Sequence, residues 1–509
     1  SSRRRHTRYI SVTGVQTCAL PILGYGAQQI RIWTAETDLT SAIAEGIAGE
    51  KDLTKSLLKS CGVPVPRGEL AASAHEAWEI AEDLGLPVVV KPTDGNRGRG
   101  VTVNLSSQHE IEKAWHLAKE EGSEVIVENY IEGDEHRVLV VGGKVVAACR
   151  GEKAWVVGDG RSTIQQLVDT QINNDPRRGN SDIHPLETIQ IRSVVLANLE
   201  RQGLGPNSVP EAGRRVLVSA NGNHSIDCTD DLHPEIAHIS TLAARVVGLD
   251  IAGIDLVCRD ISKPLSEQDG AIVEVNAGPS LLMHLNPAKG QPRPVGQAIL
   301  NHLFPDDSDA RIPIVGVSGS LYSHQIAMLV AWLLQLSGHH VGLACRDGLF
   351  VGRRKLENPD DSVWESGRRL LVNRNVEAAV FESDPITLLT EGLPYDRCHV
   401  GVVTDSLPVP GLDEHLMPEA EHRFKILRTQ VDVVLPSGVA VLNATDPTVL
   451  DMAELCDGDV LLYAVDGQHP GLMDHRASGK RTVYMNGDIV VQDDGKHRFE
   501  LIEIGRAHV

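Results

Sequence analysis

The chain has 509 residues, which is too long for one compact core and indicates two to four domains. Apolar residues make up 41% and charged residues 23%, a composition typical of globular proteins rather than disordered ones. A formal net charge of -21 opposes contact with a phosphate backbone or an anionic membrane. We therefore expect no nucleic-acid partner and no membrane partner.

The two ends of the chain, 1–22 and 503–509, look like translated sequencing adapter. The first segment is basic and ends in an apolar stretch, so it could be mistaken for a targeting peptide. We expect both segments to be artefacts, and we expect 23–50 to be the remnant of an N-terminal domain.

Cysteine usage and the most apolar segment both indicate a cytoplasmic protein. Eight cysteines are scattered without a CxxC pair, as expected for free thiols in a reducing compartment. The run LVAWLLQL, at 329–336, is too short to cross a bilayer and predicts a core helix.

The first half of the chain alternates helices and strands. KDLTKSLLKSCGVPVP at 51–66 predicts a helix ended by Gly62, and SAHEAWEIAEDLG at 73–85 predicts another. LPVVVKP at 86–92 and VIVENYI at 125–131 predict strands. The segment 137–150 predicts a hairpin that turns at its Gly-Gly pair.

A polar, helix-prone segment at 158–210 predicts an insertion that could cover a site. A second strand-rich region follows, with RRVLVS at 214–219, GIDLVC at 253–258 and AIVEVN at 271–276. The composition of 305–313 predicts a linker. The fold class is therefore α/β, with an α+β domain over 51–305 and a second α/β domain over 312–502.

Candidate ligand-binding residues begin at the end of the strand at 86–92. Lys91 is followed directly by DGNRGRG, in which Gly95, Gly98 and Gly100 allow the backbone to fold closely over phosphates. A glycine loop alone is more typical of an ordinary surface turn.

Acidic residues further along the chain strengthen this interpretation. Glu128 and Glu135 could accept hydrogen bonds from adenine or ribose, although each could also be a solvated acid. Asp255 lies in a strand, and Glu274 and Asn276 point to one face of another. Their oxygen atoms suit Mg²⁺, but the trio is equally compatible with a buried ion-pair network.

These residues, in this order, resemble the ATP-grasp fold, whose members phosphorylate a carboxylate and join it to an amine. The resemblance implies ATP contacts at Lys51, Lys91, Gly95, Gly98, Gly100, Glu128, Asn129, Ile131 and Glu135. It implies that Mg²⁺ is held by Asp255, Glu274 and Asn276. Lys51 is the least secure of these assignments, because Lys55 lies one helical turn away.

Longer segments are similar to cyanophycin synthetase, among them VVVKPTDGNRGRGV at 88–101 and LDIAGIDLVCRDIS at 249–262. The region from 312 is similar to the Mur-ligase half of that family, which carries a second ATP site. In this chain Ser323 and His324 stand where that site's loop lysine and metal-binding hydroxyl are expected. Neither supplies a fixed positive charge, so we expect an inactive second site, with Glu382 as a lone relic.

The departures, including a short loop at 218–231, resemble the second class of cyanophycin synthetase, which polymerises β-aspartyl-arginine dipeptides at one ATP site. The resemblance implies an acylphosphate on the C-terminal aspartyl carboxylate of the cyanophycin chain, attacked by the dipeptide's amine. Arg215, Ser280 and His284 are candidate substrate contacts, and we expect a homo-oligomer. Two alternatives stay open: a synthetase that retains only aspartate addition, and a non-catalytic polymer-binding subunit.

Overall fold

The protein is described by a computed structural model over residues 9–10, 22–93, 100–179, 184, 186–219, 224–305, 310–356, 362–412 and 419–504. Contacts divide the chain into two compact units, one formed by 32–307 and the other by 1–31 together with 308–509. The division after 307 falls inside the segment 305–313 whose composition predicts a linker. Within these ranges, no helix has both the length and the apolar character needed to span a membrane.

The segment 23–50 contributes side chains to two cores. It contains β3 (Ile30–Trp33) and β4 (Glu36–Thr37), and it begins at the last residue of β2 (Ile22–Leu23), which pairs with β1 (Tyr9–Ile10). Tyr25 packs in a core with Ile312 and donates its N–H to the carbonyl of Ala310 at 3.0 Å. Ala44 instead packs in a core of the 32–307 unit. Because its apolar side chains belong to two cores, the segment is shared between the units.

The 32–307 unit contains three antiparallel sheets and the helices that cover them. Its helices are α1 (Ala42–Gly49), α2 (Lys51–Ser60), α3 (Ala74–Leu84), α4 (Gln108–Glu121), α5 (Ile164–Leu167), α6 (Ser193–Arg201), α7 (Pro234–Val247), α8 (Leu282–Leu285) and α9 (Val295–Leu303). Its strands are β5 (Gly68–Leu70), β6 (Val88–Pro92), β7 (Thr102–Leu105), β8 (Val125–Asn129), β9 (Asp134–Val141), β10 (Lys144–Gly151), β11 (Ala154–Val157), β12 (Arg215–Ser219), β13 (His224–Asp227), β14 (Ile251–Cys258) and β15 (Ala271–Asn276). The strand orders are β5-β8-β6-β7, β13-β10-β9-β14-β15 and β11-β12.

Local sequence signals place several of these elements correctly. Helix α3 begins after Ser73, whose hydroxyl accepts the N–H of Glu76 at 3.1 Å, as an N-cap residue does. The predicted hairpin is confirmed as β9 and β10, which join at Gly142 and Gly143 with φ values of 57° and 72°. Two consecutive positive φ angles are the geometry of the tight turn that glycine favours.

The insertion forms a small core of its own and is larger than 158–210. Strand β12, which carries RRVLVS, pairs with β11 rather than with β14 or β15. Apolar side chains from β11, β12 and the intervening helices pack together, including Val156, Leu167, Leu199 and Val216. The strand-rich region at 214–276 is therefore divided between two sheets, because β12 buries its apolar face within the insertion.

The 308–509 unit is built on one eleven-stranded sheet. Its helices are α10 (Ser323–Leu336), α11 (Val363–Leu371), α12 (Pro385–Thr390), α13 (Ala420–Asp432), α14 (Pro447–Leu450) and α15 (Pro470–Ala477). Its strands are β16 (Ile314–Ser318), β17 (Val341–Cys345), β18 (Gly348–Val351), β19 (Arg354–Leu356), β20 (Ala378–Ser383), β21 (Cys398–Val403), β22 (Val434–Asn443), β23 (Asp459–Asp466), β24 (Thr482–Asn486), β25 (Ile489–Asp493) and β26 (Arg498–Glu503).

Strand order in this sheet confirms the predicted α/β alternation. The order is β19-β18-β17-β20-β16-β21-β22-β23-β24-β25-β26. The strands from β17 to β24 in that order pair in parallel, and antiparallel pairs extend both edges. Parallel neighbours require crossover connections, which the helices between the strands supply.

Candidate functional site

The trio of Asp255, Glu274 and Asn276 lies on β14 and β15, the last two strands in the order of the five-stranded sheet. Asp255 on β14 is directly opposite Glu274 on β15 and directly opposite Arg137 on β9. Directly opposed residues project from the same face of a sheet, and Asn276 follows Glu274 at the strand's period of two. Sheet register therefore brings together two carboxylates, an amide and a guanidinium.

Arg137 is the immediate partner of Asp255. Its Nε and Nη2 atoms donate to the two carboxylate oxygens, with Nη2 2.8 Å from Oδ2. The amide of Asn276 donates to the same Oδ2 at 3.1 Å. Burial opposes the charged guanidinium, but the Asp255 carboxylate prevails and raises the pKa of Arg137. The sequence alone does not indicate this two-point ion pair.

Glu135 adds a third carboxylate to this face. It precedes Arg137 by two positions on β9. Burial, followed by the negative charges of Asp255 and Glu274, raises its pKa to about 7. Carboxylates close enough to raise the pKa of Glu135 in this way form a site where a cation would be stabilised. Their oxygen atoms are of the kind that Mg²⁺ accepts, although Asp255 already has an ion-pair partner.

Three lysines approach the same region from two elements. Lys51 and Lys55 lie one turn apart on α2, and both line a cleft with Glu274. The Nζ of Lys51 is 3.6 Å from Oε1 of Glu274. Lys91 reaches in from β6, where it is 9% exposed. The cluster thus combines three cations with the acids of the sheet.

Glu128 on β8 joins two of these lysines. Its Oε2 is 2.9 Å from the Nζ of Lys91, and its Oε1 contacts the Nζ of Lys55. Glu128 is 2% exposed and Lys55 is 7% exposed. Burial and then the charge of Lys91 hold the pKa of Lys55 well below its ordinary value. Burial also lowers the pKa of Lys91.

Part of the chain matches a known domain family, and most of it is similar to known proteins. Residues 56–149 match the ATP-grasp domain model. A cyanophycin synthetase of Crocosphaera subtropica is 38% identical over 483 residues, covering 93% of this chain and 55% of that protein. One from Synechocystis is also 38% identical, with the same coverage. A glutathione biosynthesis bifunctional protein of Clostridium perfringens is 33% identical over 279 residues, covering 53% of this chain and 36% of that protein.

The chain is a homologue of the cyanophycin synthetases and contains an ATP-grasp domain. It spans about half the length of the curated relatives that it matches.

The glycine loop of the ATP-grasp domain is described only at its end. Gly95 and Gly98 lie outside the described residues. Gly100 has a φ of 70°, and a Cβ at this position would stand 3.3 Å from the Cα of Ala118 on α4. Positive φ and this close approach both favour glycine, so the chain returns from the loop directly onto α4.

The residues predicted at the adenine lie at the end of β8 and just beyond it. The side-chain oxygen of Asn129 accepts a hydrogen bond from the N–H of Arg67 at 2.6 Å. This contact ties the end of β8 to the residue that precedes β5. Ile131 is half-buried just beyond the strand. The adenine contact predicted for Glu128 stays a prediction, because its carboxylate is engaged by Lys55 and Lys91.

The candidate substrate contacts are spread over different elements. Arg215 begins β12 in the insertion, where its guanidinium carbon is 4.7 Å from the ring centroid of Trp155. His284 is 2% exposed within the short helix α8, and its carbonyl accepts the N–H of Arg293 at 2.8 Å. Ser280 is exposed. Their substrate roles stay predictions.

In the 308–509 unit, the loop that resembles a second ATP site is hydrogen-bonded to a carboxylate of the protein itself. The carboxylate of Asp405 accepts the N–H groups of Ser320 at 3.1 Å and Leu321 at 2.8 Å, in the loop between β16 and α10. Backbone N–H groups at such a position are the usual donors to a phosphate. An internal carboxylate therefore occupies both of these backbone donors.

Glu382 is not the lone carboxylate that the sequence predicts. It is 3% exposed, and its Oε1 accepts a hydrogen bond from the Nε of Arg346 at 2.7 Å. His324 Nδ1 is 2.8 Å from its other oxygen, while His324 Nε2 is 3.1 Å from Asp347. Arg346 and Asp347 follow β17, so residues distant in sequence complete the network that surrounds Glu382.

Proposed function

We propose that this chain is an ATP-dependent carboxylate–amine ligase that extends cyanophycin by adding β-aspartyl-arginine dipeptides. The observation that carries the proposal is the cluster of Lys51, Lys55 and Lys91 against the acids of β9, β14 and β15 in an ATP-grasp domain. Lysines suit the phosphates of ATP, and oxygen ligands that share one sheet face, such as those of Asp255, Glu274 and Asn276, suit a divalent cation. Relatives that match 93% of the chain and are named cyanophycin synthetase support the polymer as substrate.

In this proposal the chain's own residues bind and orient the reactants. Lys51 and Lys91 neutralise the phosphates of ATP, and Glu135 contacts the ribose. Asp255, Glu274 and Asn276 would hold Mg²⁺, which when bound would offset charge on the phosphates. These three residues fit Mg²⁺ because each offers an oxygen ligand on the same face of the sheet.

The proposed reaction has two steps. In the first, the C-terminal aspartyl carboxylate of the cyanophycin polymer attacks the γ-phosphorus of ATP, and ADP leaves. The dipeptide's α-amine then attacks the acyl carbon, loses a proton, and inorganic phosphate leaves. Because an acylphosphate hydrolyses readily, water must be excluded, and the insertion with its own core is the candidate cover.

The second unit favours dipeptide over free amino acids as the substrate. Adding arginine separately would require a second nucleotide site, but the loop at 319–322 donates to Asp405. Glu382 is likewise held by Arg346 and His324. A single active ATP site suffices if each addition joins a preformed dipeptide. Every cysteine in the described ranges is free, which supports a cytoplasmic location.

The test supplies purified protein with a cyanophycin primer, ATP, magnesium and either β-aspartyl-arginine or free aspartate plus arginine. Chain growth and ADP release are expected with the dipeptide. Growth from the free amino acids but not from the dipeptide would refute the proposal. Asp255→Ala should abolish ADP release, whereas Asp83→Ala, which changes an exposed acid on α3, should not. Retained turnover in Asp255→Ala would contradict the metal assignment.

A further inference from the structure

Lys55 is buried on α2 where a lysine is costly. The inward face of this helix also carries Thr54 and Leu58, and Lys55 is 7% exposed among them. A buried ammonium is tolerated only when it is paired and hydrogen-bonded. Its partner is the Glu128 carboxylate on β8, which is 73 positions away in the sequence. The fold therefore places this lysine against one particular acid.

Glu128 connects Lys55 to Lys91. One carboxylate oxygen contacts Lys55, and the other lies 2.9 Å from the Nζ of Lys91. At 2% exposure, Glu128 has almost no contact with solvent that could replace either lysine. The rotation of its carboxylate is therefore set by Lys55, and the position of the Lys91 ammonium is set by that carboxylate.

The charges facing Lys55 show what its loss would do. They are the acids Glu128 and Glu274 and the lysines Lys51 and Lys91. With Lys55 present, Glu128 offers one oxygen to each lysine. Without it, both oxygens become available to Lys91, and a two-oxygen contact would hold the ammonium away from an incoming phosphate.

We propose that Lys55 is a positioning residue for ATP binding: by engaging one oxygen of Glu128, it leaves Lys91 only the other oxygen of that carboxylate, so that the Lys91 ammonium stays available to the nucleotide phosphates. This inference rests on the proposed function, because it concerns the same ATP site. Lys55 acts through Glu128 and need not contact ATP.

The experiment measures ATP affinity by calorimetry in magnesium buffer, and steady-state turnover in parallel. Lys55→Met should raise the Kd and KM for ATP about tenfold, while kcat at saturating ATP changes less than threefold. Lys55→Arg keeps the charge and can reach Glu128 from the cleft, so it should stay within threefold of wild type. Lys59→Met, which removes an exposed lysine one turn further along α2, should change neither parameter.

A double-mutant cycle separates this role from a direct phosphate contact. If Lys55 acts only through Glu128, adding Lys55→Met to Glu128→Gln should cause no further loss of affinity. Additive losses would overturn the inference, as would wild-type affinity in Lys55→Met. If Lys55→Met does not fold, Lys55→Gln replaces it in the same cycle. Wild-type protein that binds no ATP would instead refute the proposed function.

Discussion

Arg137→Met tests whether the ion pair at the centre of the sheet stabilises the fold. The variant keeps most of the side-chain volume but leaves the Asp255 carboxylate without its guanidinium partner. The side chains of Arg137 and Asp255 are 16% and 14% exposed, so water replaces the lost contacts poorly. Removing one member of a buried pair costs about 3–5 kcal/mol. At about 2–4 °C per kcal/mol for a unit of this size, that corresponds to a fall in Tm of about 6–20 °C.

Differential scanning fluorimetry in magnesium-free buffer measures this change. The control is Lys113→Met, which breaks a surface pair with Glu200 whose side chains are 56% and 59% exposed. Its expected effect is about 0–1 kcal/mol, because solvent screens exposed pairs. The double variant Arg137→Met with Asp255→Asn should recover part of the loss, since it removes the unpaired charge. If the Tm of Arg137→Met falls no further than that of Lys113→Met, the Arg137–Asp255 ion pair does not stabilise the fold.

Two further predictions concern Glu135 and Gly100. The pKa of Glu135 rises from 4.5 to about 7 on folding, so the native state binds the extra proton between those values. Its stabilising contribution is complete below pH 4.5 and is lost as pH rises through 7, by as much as about 3 kcal/mol. The free energy of unfolding should therefore fall less between pH 5 and pH 8 in Glu135→Gln than in wild type. An equal fall in both proteins would contradict this prediction. Gly100→Ala should be at least about 1 kcal/mol more destabilising than Gly203→Ala, because both glycines have a φ of 70° but only Gly100 has close neighbours. Equal denaturant midpoints for Gly100→Ala and Gly203→Ala would show that a Cβ placed against α4 adds no energetic cost.

Local signals in the sequence were sufficient for elements whose determinants lie close together. Ser73 begins α3 because its hydroxyl caps the first turn, and the Gly142-Gly143 pair turns the hairpin. The parallel sheet of the second unit follows from alternating strands and helices after residue 312. The same signals did not show that RRVLVS pairs with β11, because partner choice depends on which apolar faces a strand can bury.

The candidate site shows the same division. The spacing of Glu274 and Asn276 on one strand was enough to predict that they share a face. The sequence places Lys55 one helical turn after Lys51, but nothing in it links Lys55 to Glu128. The involvement of Asp405 with the loop at 319–322 is similarly long-range, since 84 positions separate it from Leu321.

One can read from the sequence alone the ATP-grasp resemblance, the acids and lysines of the candidate site, and Ser323 where the resemblance implies a lysine. How the charges pair depends on the tertiary structure. Asp255 meets Arg137 across 118 positions because β9 and β14 are neighbours in register, and Glu128 meets both Lys55 and Lys91 because β8 lies within reach of α2 and β6. Capping and periodicity act over a few residues, whereas ion pairs depend on which strands and helices pack together, and that is fixed by burial of the whole unit.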